Sequence, residues 1–159
     1  MSISLRIVED DLTGDAIMAL LEHHLAEMHQ WSPAESVHAM PVKRLRQPDV
    51  TFYTAWARAD GGERLAGCGA LKHLSAEHGE LKSMRAHPDY RGRGVGKAIL
   101  AHLLAESRAR GYVRVSLETG RPAPFDPARG LYAAHGFNEC PPFGDYASDD
   151  FSICMTWVI

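Results

Sequence analysis

The chain has 159 residues, 45% of them hydrophobic and 23% charged, with a formal net charge of -3 at pH 7. This is the balance of a folded domain that builds its own apolar core, and the slightly acidic sum argues against nucleic acid as a partner. The opening "MSISLRIVEDD" lacks a cationic segment ahead of a long apolar run, and no window nears the ~18 apolar residues of a membrane span. The expectation is one cytoplasmic domain over residues 1–159, with no membrane partner.

Ser4 to Glu9 alternates polar and apolar residues like a half-buried strand. Thr13 is the expected cap of a helix running to about Met28 through Ile17, Leu20, Leu21 and Leu25. "SPAESVHAM" repeats helix-start chemistry, with Ser32 as cap, Pro33 in the first turn and Glu35 at the third position. Pro41 should break or kink that helix, which is therefore short or in two pieces. β-Branched and aromatic residues on both sides of "DGG" predict an antiparallel hairpin over Val50 to Leu74, and Gly79 to His87 predicts a third strand.

From Gly94, Val95, Ile99 and Leu103 keep helical spacing, with Arg108 and Arg110 in the last turn and Gly111 as the C-terminal cap. Tyr112 to Glu118 is a strand reached directly from that helix, completing a βαβ crossover. Asp126 and Pro127 open a short helix stopped by Gly136, and "FSICMTWVI" is a closing strand. The fold class is therefore mixed α/β, a mostly antiparallel sheet flanked by helices around one βαβ unit.

Cys68, Cys140 and Cys154 are odd in number and widely spaced, which favours reduced thiols over a disulfide framework or a metal pair. Among nine histidines, His23, His24 and His29 lack the i, i+4 spacing that puts two imidazoles on one helix face, so no metal is expected.

The segment "RGRGVGKAIL" sets Gly92, Gly94 and Gly96 among three cations immediately before an aliphatic run. Glycines that open a helix aim free backbone N–H groups at whatever sits there, and the helix dipole favours an anion. A nucleoside-triphosphate P-loop does not fit, because Gly92 and Gly96 are one residue too close and Lys97 precedes Ala98. The dinucleotide fingerprint fails too: the spacing is G-x-G-x-G and the loop comes after a hairpin.

The pattern that fits is R-x-x-G-x-G, filled by Arg91, Gly94 and Gly96, preceded by "MRAHPDY" and succeeded by an amphipathic helix. With "ARGLYAAHGF" downstream, the chain resembles the GNAT superfamily of acyl-coenzyme-A-dependent N-acetyltransferases, over nearly its whole length but weakly before Val50. The resemblance implies that backbone amides from Arg93 through Lys97 hold the pyrophosphate of acetyl-CoA, with Arg91, Gly92, Gly94, Val95 and Gly96 in the same cradle. It also implies that the strand through Met84, Arg85 and Ala86 splays from its neighbour and hydrogen-bonds the pantetheine arm.

Acetyl transfer from a thioester needs a deprotonated amine, a polarised carbonyl and a proton for the departing thiolate. Tyr132 matches the family's tyrosine, and a phenol of pKa about 10 can serve a thiolate of pKa about 8.5. The N–H of Met84 or a neighbour is the expected carbonyl contact. An alkylammonium acceptor of pKa about 10.4 needs a carboxylate base or a water chain leading to one, for which Glu80 is the first candidate and Glu118 the second. On the acceptor side the residues point two ways: Asp145, Asp149 and Asp150 would attract a cationic amine, whereas Arg85 and Arg121 would hold a substrate carboxylate. A ping-pong route through Cys140 lacks a neighbouring base. The reading is an enzyme acetylating a primary amine of a small molecule or peptide; the alternative is a non-catalytic acyl-CoA sensor. The apolar last strand leaves room for a homodimer through its edge.

Overall fold

The computed structural model describes residues 3–147 and 149–159. Seven strands form a single sheet in the order β1-β2-β3-β4-β5-β7-β6, where β1 is Leu5–Glu9, β2 Val50–Ala59, β3 Gly62–Ser75, β4 His78–Ala86, β5 Arg114–Gly120, β6 Asn138–Cys140 and β7 Ser152–Val158. Every neighbouring pair is antiparallel except β4 and β5. That parallel pair is joined by helix α3, Val95–Ala109, which makes the crossover anticipated from the sequence.

Strand alternation distributes the core to both faces. Tyr53, Ala55 and Ala57 of β2 and Leu71 of β3 point to α3, whose Val95, Ile99, Leu100, Leu103 and Leu104 are all buried against them. Each such side chain contributes about 1.5–3 kcal/mol, and truncating Leu103 to alanine would cost about 2–5 kcal/mol. The same layer holds Tyr132 of α4, Asp126–Ala134. On the opposite face Phe52 and Ala70 meet Ile17, Leu20 and Leu21 of α1, Asp15–Trp31.

Local chemistry departs from the sequence reading at the ends of α1. Gly14, not Thr13, is its N-cap; Thr13 Oγ1 instead donates to Asp11 Oδ1 at 2.6 Å, which also accepts the Thr13 N–H. Ser32 closes α1, its N–H donating to the Met28 carbonyl, rather than opening another helix. The chain then makes a 3-10 turn at Ala34–Ser36 and a four-residue α2, Val42–Leu45, after Pro41, so the two-piece alternative is realised. At the far end of α3, Gly111 has φ +80 and its N–H donates to the Arg108 carbonyl, the glycine stop expected there.

The final strand β7 lies between β5 and β6 and is paired on both sides within its own sheet. On the β6 side the pairing covers Cys154, Met155 and Thr156. No helix among the described residues is long and apolar enough to cross a membrane.

Candidate active site

The site originates in a defect of the β3–β4 ladder. Cys68 pairs with Arg85 and Ala70 with Lys82, so Ser83 and Met84 together oppose the single residue Gly69. Ser83 takes φ +55, a left-handed conformation costing about 1–2 kcal/mol for an L-residue, and its carbonyl accepts the Cys68 thiol at 3.2 Å. Such a bulge bends its strand. β4 accordingly pairs with β5 only at His78, Gly79 and Glu80, and its remaining residues through Ala86 separate from Leu117 to Gly120. The backbone groups facing the gap are free to bind an extended guest.

The glycine loop closes one end of the gap. Gly92 and Gly94 adopt φ +73 and +84, and Gly94 is the N-cap of α3. A side chain added at either would meet nothing within 4 Å, so these glycines are required by backbone conformation and leave an open cradle. The first intrahelical bond runs from the Ala98 N–H to the Gly94 carbonyl, leaving the preceding N–H groups at the positive end of a 15-residue helix. The Arg93 guanidinium lies 5.3 Å from the Tyr90 ring centre, and Arg91 and Lys97 line the cleft beside the loop. Spacing, conformation and charge all fit a pyrophosphate.

The gap opens into a cleft of about 760 Å³ lined by Met84 to Ala86, the glycine loop, Glu118, Tyr132 and residues of α1 and its following loop. Tyr132 is 6% exposed, packs edge-on to Phe137 at 5.8 Å, and has no hydrogen bond from its hydroxyl among the described residues. Burial pushes its phenol pKa well above the ordinary value, so it stays protonated.

Across the cleft, Glu118 lies beyond the last β4–β5 rung, and its carboxylate is 3.3 Å from His38 Nδ1. Burial raises the Glu118 pKa, with His38 and Lys82 opposing. Glu80 sits elsewhere: it is 2% exposed, does not line the cleft, and accepts the Tyr146 hydroxyl at 2.6 Å. Lys82 donates to the same hydroxyl at 2.5 Å and lies 3.4 Å from Glu80. Burial first, then the Glu80 charge and hydrogen bond, pushes the Tyr146 phenol pKa far up.

The structure thus brings together Met84, Arg85, Ala86, the loop from Arg91 to Lys97, Glu118 and Tyr132, while Glu80 is held behind Lys82 and Tyr146. Arg121, Asp149 and Asp150 line a different hollow with Cys140 and Cys154. There Arg121 Nε donates to the Ser152 carbonyl at 2.8 Å, and Asp149 accepts the Ser36 hydroxyl at 2.6 Å. The Cys140 thiol pKa is raised by burial, which leaves it a poor nucleophile. Sequence reasoning missed His24, Trp31 and His38, which line the cleft, and Tyr146, which holds Lys82 behind it; none carries a motif, and all are placed by tertiary packing.

The Acetyltransferase (GNAT) family matches residues 15–137. The uncharacterized N-acetyltransferase YsnE of Bacillus subtilis (strain 168) is 49% identical over 147 residues, covering 92% of this chain and 95% of that protein. The uncharacterized N-acetyltransferase YedL of Escherichia coli (strain K12) is 50% identical over 146 residues, covering 92% and 89%. Among solved structures, the putative acyl-CoA N-acyltransferase from Klebsiella pneumoniae subsp. pneumoniae MGH 78578 superposes with a TM-score of 0.75 at 26% identity, over 97% of each chain. With the parallel strand pair opened by a bulge and a glycine cradle at the start of the crossover helix, the chain belongs to the GNAT family of acetyltransferases.

Proposed function

We propose that the chain transfers acetyl from acetyl-CoA directly to a primary amine of a small molecule or peptide. The observation that carries this reading is the continuity of one cleft from the glycine cradle, past the unpaired edge at Met84 to Ala86, to Glu118 and Tyr132. Bound acetyl-CoA supplies the activated thioester; everything else is the work of this chain.

The N–H groups from Arg93 through Lys97 take the pyrophosphate, aided by Arg91, Arg93 and Lys97. Free edge groups of β4 take the pantetheine amides as an added strand would, and the Met84 N–H faces the carbonyl oxygen. Glu118 accepts the ammonium proton, being the acidic residue lining the cleft, with a pKa shifted toward neutrality. Tyr132 gives a hydrogen bond to the departing sulfur, which leaves as thiolate and takes up the second proton shed by the acylated nitrogen; the raised Tyr132 pKa fits a donor that is never itself ionised. Glu80 positions Lys82 and Tyr146 beneath the acceptor.

The test is thiol release from acetyl-CoA in the presence of separate pools of polyamines, amino acids, aminoglycosides and lysine peptides. Release stimulated by one pool supports the reading. Silence with every pool, combined with failure of acetyl-CoA to bind in calorimetry, overturns it.

A further inference from the structure

We propose that Arg85 is the specificity-determining residue of the acceptor site, and that the acceptor is a primary amine bearing a carboxylate on an apolar body. The inference rests on the acetyltransfer reading above and narrows it. The Arg85 side chain is only 10% exposed, yet it lines the cleft. Its ionic contact is Glu27 Oε1. That oxygen also receives Arg91 Nη2 at 2.9 Å and stands 3.3 Å from His23 Nε2. One carboxylate therefore serves two guanidinium groups, and Arg85 Nε is buried with no partner among the described residues. Leaving a charged donor unpaired away from water is costly, and a guest carboxylate received by the planar fork removes that cost.

The surroundings define the rest of the guest. The Arg85 guanidinium carbon is 5.9 Å from the Trp31 ring centre, Trp31 packs edge-on to Phe125 at 5.4 Å, and Met28 and Met40 line the same wall. Beside them His24 Nδ1 is buried and also without a partner among the described residues. Burial and the nearby Arg85 charge lower the His24 pKa to about 4, so it is neutral at working pH and adds no competing charge. Arg91 and Lys97 belong to the glycine cradle, and on the acceptor side the cleft is lined by Lys82 and Arg85 against Glu118, the one acidic side chain lining it among the described residues. A polycationic acceptor would meet like charge there. An apolar amino acid would place its carboxylate on Arg85 and its side chain on Trp31. Arg121, the other arginine considered for this role, is turned to Ser152 and Glu139 in the second hollow.

The experiment compares methionine, leucine and phenylalanine with their amides, as acceptors in the thiol-release assay and as ligands in calorimetry. Proteins tested are wild type, Arg85→Lys and Arg85→Gln, each first checked for a cooperative thermal transition. A charge-assisted fork predicts that wild type favours the free acids over their amides by about 10- to 100-fold. The preference should collapse in Arg85→Gln and fall partway in Arg85→Lys, mainly through KM. Equal or better binding of the amides, no binding of either set, or a preference that survives Arg85→Gln overturns the proposal. Turnover on polyamines or aminoglycosides alone would overturn it while leaving the acetyltransfer reading intact; an Arg85-dependent binding preference with no turnover on any pool and no acetyl-CoA binding would do the reverse.

Discussion

Gly67 is where the two halves of the cleft are fastened together. A Cβ there would lie 2.6 Å from the Arg85 carbonyl oxygen, 2.8 Å from Val95 Cγ1 and 2.9 Å from Ile99 Cδ1. Only the isoleucine terminus can move cheaply; the carbonyl belongs to the bent end of β4 and Val95 to the first turn of α3. Gly67→Ala must therefore push the open edge of β4 away from the start of α3. Overpacking of this kind costs about 1–3 kcal/mol, and a backbone obstacle puts Gly67 at the upper end. At ~3 kcal/mol, a chain of this size loses roughly 6–12 °C in Tm. Gly130→Ala is the control, since nothing lies within 4 Å of its Cβ and it sits inside α4. It should gain about 0.5–1 kcal/mol. Circular-dichroism melting reads both changes, and calorimetry with acetyl-CoA should show weaker binding for Gly67→Ala alone. A Gly67→Ala protein melting within a degree of wild type, or a Gly130→Ala protein melting as low, would refute the argument.

Tyr132→Phe should lower kcat by about 10²–10³-fold while acetyl-CoA binding and Tm stay close to wild type, because the lost hydroxyl has no partner among the described residues. Unchanged kcat would remove Tyr132 from the chemistry. The raised Glu118 pKa puts the acid limb of the kcat/KM profile above the ordinary carboxylate range, with activity rising as the proton leaves. Glu118→Gln should abolish that limb and cost at least about 10²-fold in kcat; if limb and rate persist, the base is elsewhere, with Glu80 next in line. His24, lowered from 6.5 to about 4, binds its proton more tightly in the unfolded chain, so stability is full above 6.5 and declines as pH falls toward 4. The loss is about 3 kcal/mol. Chemical denaturation across that range should show His24→Gln with a shallower decline, and an identical slope would show that other groups set it.

The parts of the fold legible in the chain, and the parts that were not, divide by the range of the forces involved. The α3 stripe, its glycine loop and its Gly111 stop are local, each set by backbone conformation within a few residues, and all three are found as expected. The stripe of α1 is local too, yet Leu25 is 42% exposed although Ile17, Leu20 and Leu21 are buried. Beyond Leu21 the helix leaves the sheet core and roofs the cleft, where Met28 and Trp31 line it and Glu27 meets Arg85 and Arg91. Ser32 has the chemistry of a cap, but α1 persists to Trp31 and uses its N–H instead.

The acceptor side has no local signature because no local segment makes it. Glu80 and Glu118 are both strand glutamates at comparable distance from the motifs, and nothing in their neighbours ranks them. The ladder does: Glu80 sits on the last β4–β5 rung, opposite Ser116, where the sheet is still closed, whereas Glu118 lies two residues past that rung, where β4 has departed. The departure is decided at Ser83 and Met84 by their mismatch with Gly69 on a third strand. A one-residue irregularity between β3 and β4 thereby determines which carboxylate lines the cleft. Arg85 obeys the same logic. The bulge falls two residues before it, so the turn of the strand at Ser83 sets the face on which its guanidinium meets Glu27 and Trp31.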